Sequence, residues 1–205
     1  MAPKNKFTRE EMISAALRVV RENGIDALTA KAVAEELGIS TQPIFTCFNT
    51  MDTVKKEVRA AAEKIYDKYA TEGLQQKIPF YGFGMQYIRF AREEPELYCL
   101  LFLTKGEGSS DILEAMKHSQ RKIRPFLEKT YQISTEEADR YFRDLWLVVH
   151  GLATLIVTDG CPYSDSEISQ ILTGFSVSIC KAIKEIPGFT DGTFERDAIF
   201  RSLVP

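Results

Sequence analysis

The stretch that decides the fold is residues 28–48, which read LTAKAVAEELGISTQPIFTCF. Thr29 is a residue type that caps helix N-termini, and Gly38 is the type that ends helices in the left-handed conformation. A short helix is therefore predicted between them, with Val33 and Leu37 facing inward.

A second short helix is predicted directly after this glycine. We expect Ser40 to cap it, Pro43 to occupy its first turn, and Ile44 and Phe48 to form its buried face. Two short helices joined by Gly38-Ile39-Ser40 have the layout of a helix-turn-helix, whose second helix presents its N-terminal part to the DNA major groove. The sequence thus predicts a local DNA-binding unit.

Upstream of this unit, the pattern predicts one more helix. Thr8 and Glu11 have the spacing of a capping box, and Asn23-Gly24 is a helix stop. The apolar stripe of this helix is expected to be Ile13, Ala16, Leu17 and Val20.

Downstream, a long helix is predicted to leave the unit at Thr50 and to end near Gly73. Its apolar residues at helical spacing are Val54, Val58, Ala61, Ile65 and Tyr69. We interpret this helix as the connector to the rest of the chain.

Helical signals continue towards the C-terminus, and no run alternates long enough to predict a strand. The predicted elements are a helix over Phe80–Ala91 closed by Pro95, a short helix over Leu97–Leu103, a flexible segment over Lys105–Ser110, a helix over Ser110–Tyr131 that bends at Pro125, and long helices over about 134–158 and 164–185. Ser134 with Glu137, and Ser164 with Glu167, form capping boxes for the long helices. The tail from Phe189 to Pro205 has no clear period. The sequence therefore predicts an all-α protein.

Composition excludes several classes of protein. The 205 residues are 44% hydrophobic and 27% charged, as in a globular chain rather than a disordered one. The longest apolar stretch, Leu145–Val157, contains His150 and is shorter than the roughly 20 residues of a membrane helix, so a cytoplasmic protein is predicted. The net charge is −3, and residues 1–58 carry eight Lys/Arg and eight Asp/Glu. Any nucleic-acid site must therefore be local.

No pattern in the sequence predicts catalysis or metal binding. His118 and His150 are too far apart in the chain to support a metal site. We find no nucleophile beside a base, no phosphate loop and no carboxylate pair of defined spacing. We therefore expect neither a cofactor nor enzyme activity. The cysteines form no CxxC pair and are read as incidental thiols: Cys47, Cys99, Cys161 and Cys180.

Residues 8–58 resemble the TetR family of transcriptional regulators. The residues that carry the resemblance are Ile13, Ala16, Leu17, Gly24, Leu28, Thr29, Val33–Ser40, Ile44, Phe45, Phe48 and Val54. The later residues Tyr87–Ala91, Glu94–Tyr98 and Leu101-Phe102, with Trp146…His150-Gly151-Leu152, resemble the ligand-binding domain of a TetR subgroup named for its Trp-His-Gly signature. The resemblance implies a homodimer that binds a near-palindromic operator and leaves it when a small molecule enters the C-terminal domain.

The same resemblance places a set of residues at the DNA: Thr29, Lys31, Thr41, Gln42, Pro43, Phe45, Thr46 and Lys55. Gln42 is expected to bond an adenine edge, and the methyl group of Thr41 or Thr46 to touch a thymine methyl. Thr29 and Lys31 lie at a helix start, where free N–H groups bind phosphate. An arm along the DNA backbone is expected from Lys4, Lys6 and Arg9.

The sequence departs from the family at three positions that usually contact phosphate. Family members commonly have Tyr in place of Phe45, a basic residue or His in place of Cys47, and Lys in place of Met51. We expect Lys55 and Lys56, one turn further on, to compensate if the fourth helix lies close to the duplex. An all-α protein-interaction adaptor with weak or no DNA binding therefore stays open as the alternative.

An effector pocket is expected from residues of the central helices: Phe83, Tyr87, Phe90, Tyr98, Phe102, Met116, Trp146 and His150. Aromatic pockets with few charges bind mainly apolar molecules. Trp146 and His150 are four residues apart and share a helix face, and Gly151 leaves room for a neighbouring helix. We expect Phe80–Ala91 to transmit ligand binding to the connector helix.

The predicted organisation is a DNA-binding domain over residues 1–50 and a ligand-binding and dimerisation domain over residues 51–205. The expected partners are an operator, a small effector and a second copy of the chain, without a membrane. The two long helices near the C-terminus are expected to pair with those of the second copy in a four-helix bundle. The residues assigned to that interface are Tyr141, Leu145, Val148, Leu152, Ile156, Ile168, Ile171, Phe175 and Ile179.

Overall fold

The computed structural model describes residues 7–104 and 111–204, and every regular element in these ranges is helical. The helices are α1 Arg9–Asn23, α2 Ala30–Leu37, α3 Gln42–Phe48, α4 Met51–Leu74, α5 Pro79–Glu93, α6 Pro95–Tyr98, α7 Asp111–Tyr131, α8 Thr135–Val157, α9 Asp165–Glu185 and α10 Arg196–Leu203. The all-α prediction is confirmed. Lys4 and Lys6 of the expected arm, and the segment 105–110, lie outside the described residues.

The three N-terminal helices begin and end largely where local chemistry predicts. Thr8 and Glu11 form the capping box of α1, and Thr29 caps α2 by accepting the N–H of Ala32 at 3.1 Å. Gly38 ends α2 with φ +63°, a conformation that glycine adopts without strain.

The predicted cap of α3 is wrong. Its N-cap residue is Thr41, whose side chain makes no capping hydrogen bond. Because α3 begins at Gln42 with Pro43 in its first turn, Ser40 lies one residue too early to cap it. Ile44 and Phe48 are buried as predicted.

The buried face of α1 is rotated from the predicted stripe. Ala16 and Val20 are buried, but Ile13 and Leu17 are only half-buried. The helix packs against α2, α4 and α6, so it buries a wide face in which alanines permit close approach. The buried residues of α1 are Met12, Ala15, Ala16, Val19 and Val20.

The buried face of α4 winds around the helix. Val54 and Val58 are buried as predicted, but the following buried positions are Ala62, Tyr66 and Ala70. A constant four-residue step turns the face by about 40° per step in a helix of 3.6 residues per turn. The N-terminal half of α4 therefore faces α1 and its C-terminal half faces α5, whereas Ala61, Ile65 and Tyr69 stay half-buried.

The predicted end of α4 near Gly73 is confirmed to within one residue, and Gly73 has a second role in packing. The helix continues to Leu74, and a Cβ atom on Gly73 would lie 2.6 Å from the Cα of Phe83 and 2.7 Å from the carbonyl carbon of Gly82. The glycine is thus required by the close approach of α4 and α5.

The C-terminal helices pack around α5. Glu94 has non-helical φ and ψ before Pro95, so α5 ends as predicted, and α6 continues into a π-helical turn over Cys99–Leu103. The capping boxes of α8 and α9 are present as predicted. The helix α10 was not predicted, because its residues have no clear apolar period. Among the described helices, none is both long enough and apolar enough to cross a membrane.

Candidate functional site

The outer side of α3 is polar and open to solvent. Ile44 and Phe48 anchor the helix in the core, and this leaves Gln42 and Thr46 exposed on the opposite side. The Thr46 hydroxyl donates to the carbonyl oxygen of Gln42 at 2.9 Å. Since that hydroxyl is engaged with the helix backbone, Thr46 offers its methyl group to an approaching surface. Thr41 and Pro43 are half-buried at the start of the helix.

The lysines around this helix differ in their freedom. Lys31 Nζ lies 3.7 Å from Glu35 Oε1, one turn along α2, and both side chains are exposed. Lys55 and Lys56 are exposed in the first turns of α4 and form no ion pair within residues 7–104 and 111–204. Among the described residues near α3, the lysines without an ion pair are therefore Lys55 and Lys56 of α4.

Arg9 is exposed, but it is paired with residues of its own subunit rather than free in an arm. Its Nε donates to Glu57 Oε2 at 3.0 Å, and its Nη1 donates to the Cys47 carbonyl oxygen at 2.7 Å. Its guanidinium lies 4.4 Å from the centre of the Phe48 ring, and the hydrogen bond with Glu57 raises the pKa of Arg9. The residue therefore fastens α1 to the end of α3 and the start of α4.

The three departures from the usual phosphate contacts have different surroundings. Cys47 and Met51 are half-buried and pack against the hydrophobic core. Phe45 is 44% exposed on α3. None of these side chains carries a donor that matches a phosphate oxygen.

The residues expected to line an effector pocket form a closely packed aromatic cluster. Tyr87 is at its centre, with ring centroids 5.7 Å from Tyr98, 5.1 Å from Phe102 and 6.5 Å from Trp146. All of these rings are buried, as are those of Phe83 and Phe90. Met116 lies apart and half-buried, beside Arg140 at a polar surface depression. In this structure the cluster is a packed wall, and whether it receives a ligand stays a prediction.

Hydroxyl and imidazole groups meet inside the cluster. The hydroxyl oxygens of Tyr98 and Tyr87 lie 2.9 Å and 3.1 Å from His150 Nδ1, and Trp146 stacks on the imidazole with ring centroids 4.7 Å apart. Burial lowers the pKa of His150 and raises the pKa of Tyr98 to about 12. The imidazole is therefore neutral near pH 7. The indole N–H of Trp146 has no hydrogen-bond partner among the described residues.

Two cavities border this cluster. An apolar one of about 280 Å³ lies between the start of α5 and α9, and a polar one of about 230 Å³ lies between α4, the π-helical turn and α7. Ring contacts run from Phe80, which lines the first cavity, through Phe83 and Tyr87 to Phe102, which lines the second. The ring contacts of the aromatic cluster thus form a continuous path between the two cavities.

Two arginines join the N-terminal helices to the C-terminal ones. Arg21 at the end of α1 donates to both carboxylate oxygens of Glu94, at 2.8 Å and 2.5 Å. Arg59 on α4 donates to the carbonyl oxygens of Leu100 and Leu101, at 2.8 Å and 3.0 Å. Neither contact was predicted from the sequence, because the partners are 73 and about 40 residues apart in the chain.

The surface predicted for dimerisation is partly buried within one subunit. Four of its residues are core residues, because this side of α8 and α9 packs against the rest of the same subunit: Tyr141, Leu145, Leu152 and Ile168. Val148, Ile156, Ile171 and Ile179 are half-buried. Phe175 of the predicted set is exposed on α9, beside Gly174, and the exposed apolar residues of α8 are Leu147, Gly151 and Leu155, which were not predicted. Outside its own stretch of helix, a Cβ atom at either glycine would have no neighbour within 4 Å among the described residues.

Family models match both parts of the chain. A model of bacterial regulatory proteins of the tetR family matches residues 12–58, and a model of the tetracyclin repressor-like C-terminal domain matches residues 80–173. No curated protein sequence matches the chain. The assignment to a Trp-His-Gly subgroup stays a prediction.

Solved structures share the fold. One is a member of the TetR family from Streptomyces coelicolor A3, with a TM-score of 0.61 and 19% identity over 84% of this chain and 98% of that one. Another is a protein with unknown function from Rhodococcus sp. RHA1, with a TM-score of 0.64 and 19% identity over 89% and 99%. A third is the multidrug binding protein EbrR complexed with imidazole, with a TM-score of 0.55 and 18% identity over 82% and 88%.

Proposed function

Because this chain belongs to the TetR family of bacterial regulatory proteins, we propose that it represses transcription by binding a near-palindromic operator as a homodimer. The chain is a DNA-binding transcriptional regulator, and since its family consists of regulators, it is not an enzyme. Release by a small, mainly apolar effector and a cytoplasmic location are parts of the proposal. So is the division into residues 1–50, which bind DNA, and 51–205, which bind the effector and the second subunit.

The observation that carries the proposal is the exposed polar side of α3. Gln42 is free to bond a base edge, and Thr46 offers a methyl group for a thymine. Thr29, Lys31, Thr41, Pro43 and Phe45 are proposed to contact the DNA around these two residues. Lys55 is proposed to bind phosphate from the start of α4.

A gel shift with DNA that flanks the gene tests this proposal. Gln42→Ala is expected to weaken discrimination at one base pair by about 1–3 kcal/mol, while Gln75→Ala, at the far end of α4, leaves it unchanged. Lys55→Ala is expected to weaken binding to all sequences and to reduce the salt slope by about one, while Lys64→Ala has neither effect. If operator DNA and unrelated DNA shift equally at every salt concentration, the adaptor alternative replaces the repressor.

We propose that the dimer forms through the exposed side of α8 and α9. Two such helices from each subunit form a four-helix bundle, in which Gly151 and Gly174 allow the partner helices to approach closely. Leu147 is 57% exposed in one subunit, so Leu147→Glu is expected to give a monomer in light scattering at micromolar concentration. Leu113→Glu is the control, since Leu113 is 52% exposed on α7. A dimer in both variants would contradict this interface.

We propose that the effector enters beside the aromatic cluster. The apolar cavity next to α5 supplies the space, and the ring contacts from Phe80 to Phe102 transmit its occupation towards α4. None of the aromatic residues predicted for the pocket lines this cavity, and in this proposal they lie behind its wall, in ring contact with Phe80. Trp146 has a polar N–H without a partner, so it offers one hydrogen bond to a ligand that displaces its neighbours.

The Trp146→Phe variant tests whether Trp146 belongs to the effector site. It keeps an aromatic ring in the core and removes only the N–H and part of the ring, so folding is preserved better than with alanine. Operator binding is expected to stay within a few-fold of wild type, while release by the effector weakens. Unchanged release would exclude Trp146 from the effector site.

A further inference from the structure

The apolar cavity between α5 and α9 has the size of a short hydrocarbon chain. Its walls include Phe80, Val149, Leu172 and Val177, and its volume is about 280 Å³. At the roughly 30 Å³ that a water-sized group occupies in a liquid, this volume holds about nine non-hydrogen atoms. The volume and the apolar lining therefore suit a small apolar molecule of about that many atoms.

Among the described residues that line the cavity, Lys181 is the charged one. The hydroxyl oxygens of Tyr81 and Ser169 lie 2.8 Å apart, and the hydroxyl of Ser176 is hydrogen-bonded to Tyr141, so these groups already have partners. Lys181 lines the cavity, is exposed, and has no ion pair within residues 7–104 and 111–204. None of the residues that line the cavity is an aspartate or glutamate.

We propose that this cavity binds a medium-chain carboxylate, with the chain between α5 and α9 and the carboxylate at Lys181. Burial of the chain supplies most of the affinity. The ion pair at the rim orients the molecule and discriminates it from an uncharged chain of equal length. The ligand's role as the effector rests on the proposed function, whereas its binding does not.

The cavity is placed to act on the connector helix. Phe80 and Gly84 line it from the first turns of α5, and Gly82 between them is in backbone contact with Gly73 of α4. A ligand that separates α5 from α9 therefore moves the segment to which α4 is most closely attached. Such a ligand lowers DNA affinity only if it binds the released arrangement better than the DNA-bound one.

Isothermal titration of the DNA-free protein with octanoate and with octanol tests the site. Octanoate is expected to bind saturably, and to bind more tightly than octanol by about two- to five-fold, the range of an ion pair at a surface. Lys181→Met is expected to remove that difference. Lys184→Met, which removes a lysine of the same helix that does not line the cavity, is expected to keep it. Val177→Trp fills the cavity from an exposed position and is expected to weaken octanoate binding at least ten-fold.

These experiments distinguish failure of the octanoate site from failure of the proposed repressor function. Absence of saturable octanoate binding, or equal affinity for octanoate in wild type and Lys181→Met, overturns the proposal. If octanoate does not bind and Val177→Trp changes the oligomeric state, the cavity is covered by a second subunit, which also overturns it. A gel shift without octanoate tests the proposed repressor independently, and octanoate-dependent loss of that shift supports the link between them.

Discussion

Replacing Arg21 by methionine removes the ion pair that fastens the end of α1 to the corner between α5 and α6. Arg21 makes two hydrogen bonds to Glu94, at 2.8 Å and 2.5 Å, and this bidentate geometry is stronger than a single contact. We expect this pair to stabilise the protein measurably, because it joins the DNA-binding helices to the C-terminal ones.

The expected coupling energy follows from the solvent exposure of the two side chains. The side chain of Arg21 is 40% exposed and that of Glu94 is 15% exposed, so solvent screens the pair in part. Exposed pairs contribute about 0.2–1 kcal/mol, and the bidentate geometry puts this pair near the upper end. We therefore predict a coupling energy of about 1 kcal/mol, and a decrease of about 2–4 °C in Tm when the pair is broken in a chain of this length.

The assay is a double-mutant cycle of Arg21→Met, Glu94→Gln and the double variant, followed by urea unfolding at one protein concentration. The control cycle removes Lys117 and Glu114, an exposed pair within α7 at 2.9 Å, for which a smaller coupling energy is expected because solvent screens both side chains. If the first coupling energy is no larger than the control, the ion pair does not fasten the two parts together.

Three further predictions concern the core. Gly73→Ala is expected to cost about 1–3 kcal/mol of unfolding free energy, because its Cβ would meet backbone atoms. Gly84→Ala is expected to cost less, because its Cβ would lie 3.4 Å and 3.5 Å from side-chain atoms. Equal losses of stability in urea unfolding would contradict this. Burial lowers the pKa of His150, so the unfolded chain is protonated at a higher pH than the folded chain. The wild type should therefore lose stability relative to His150→Gln as the pH falls below about 6.5. Equal shifts of the urea midpoints of the two proteins between pH 7.5 and pH 5 would argue against this. Tyr66→Phe is expected to lower the free energy of unfolding by about 1–3 kcal/mol, because the buried Ser119 hydroxyl loses its hydrogen-bond partner at 2.9 Å. Adding Ser119→Ala should recover part of that loss. No recovery in the double variant would count against the hydrogen bond.

Features that depend on neighbours in the chain were predicted well. The capping box of Thr8 with Glu11 needs only residues three apart, and Gly38 needs only its own freedom at positive φ. The exposed side of α3 was predictable for the same reason, since its buried anchors Ile44 and Phe48 are one turn apart. Whether that side binds DNA is not a property of spacing, and it stays a prediction.

Features that depend on distant packing were predicted less well. Gly73 has the signal of a helix stop, and only the position of α5 shows that it allows close contact between backbones. Leu145 and Leu152 have the same apolar character as Leu147 and Leu155, so the sequence did not show which pair faces its own core. The aromatic residues were expected around an open pocket, but rings in such number also stabilise each other by edge-to-face contact.

The contacts of α5 place it between the apolar cavity and the N-terminal helices, so we propose that it transmits ligand binding better than α4 alone. One end of α5 lines the apolar cavity and packs on Gly73, and the residue after its other end, Glu94, holds Arg21 of α1. A displacement of α5 therefore reaches the DNA-binding helices by two routes, through α4 and through the ion pair. Breaking only the ion pair should weaken release of the operator without abolishing it, because the contact at Gly73 still moves α4. Complete loss of release in Arg21→Met, with operator affinity unchanged, would instead assign the whole coupling to α1.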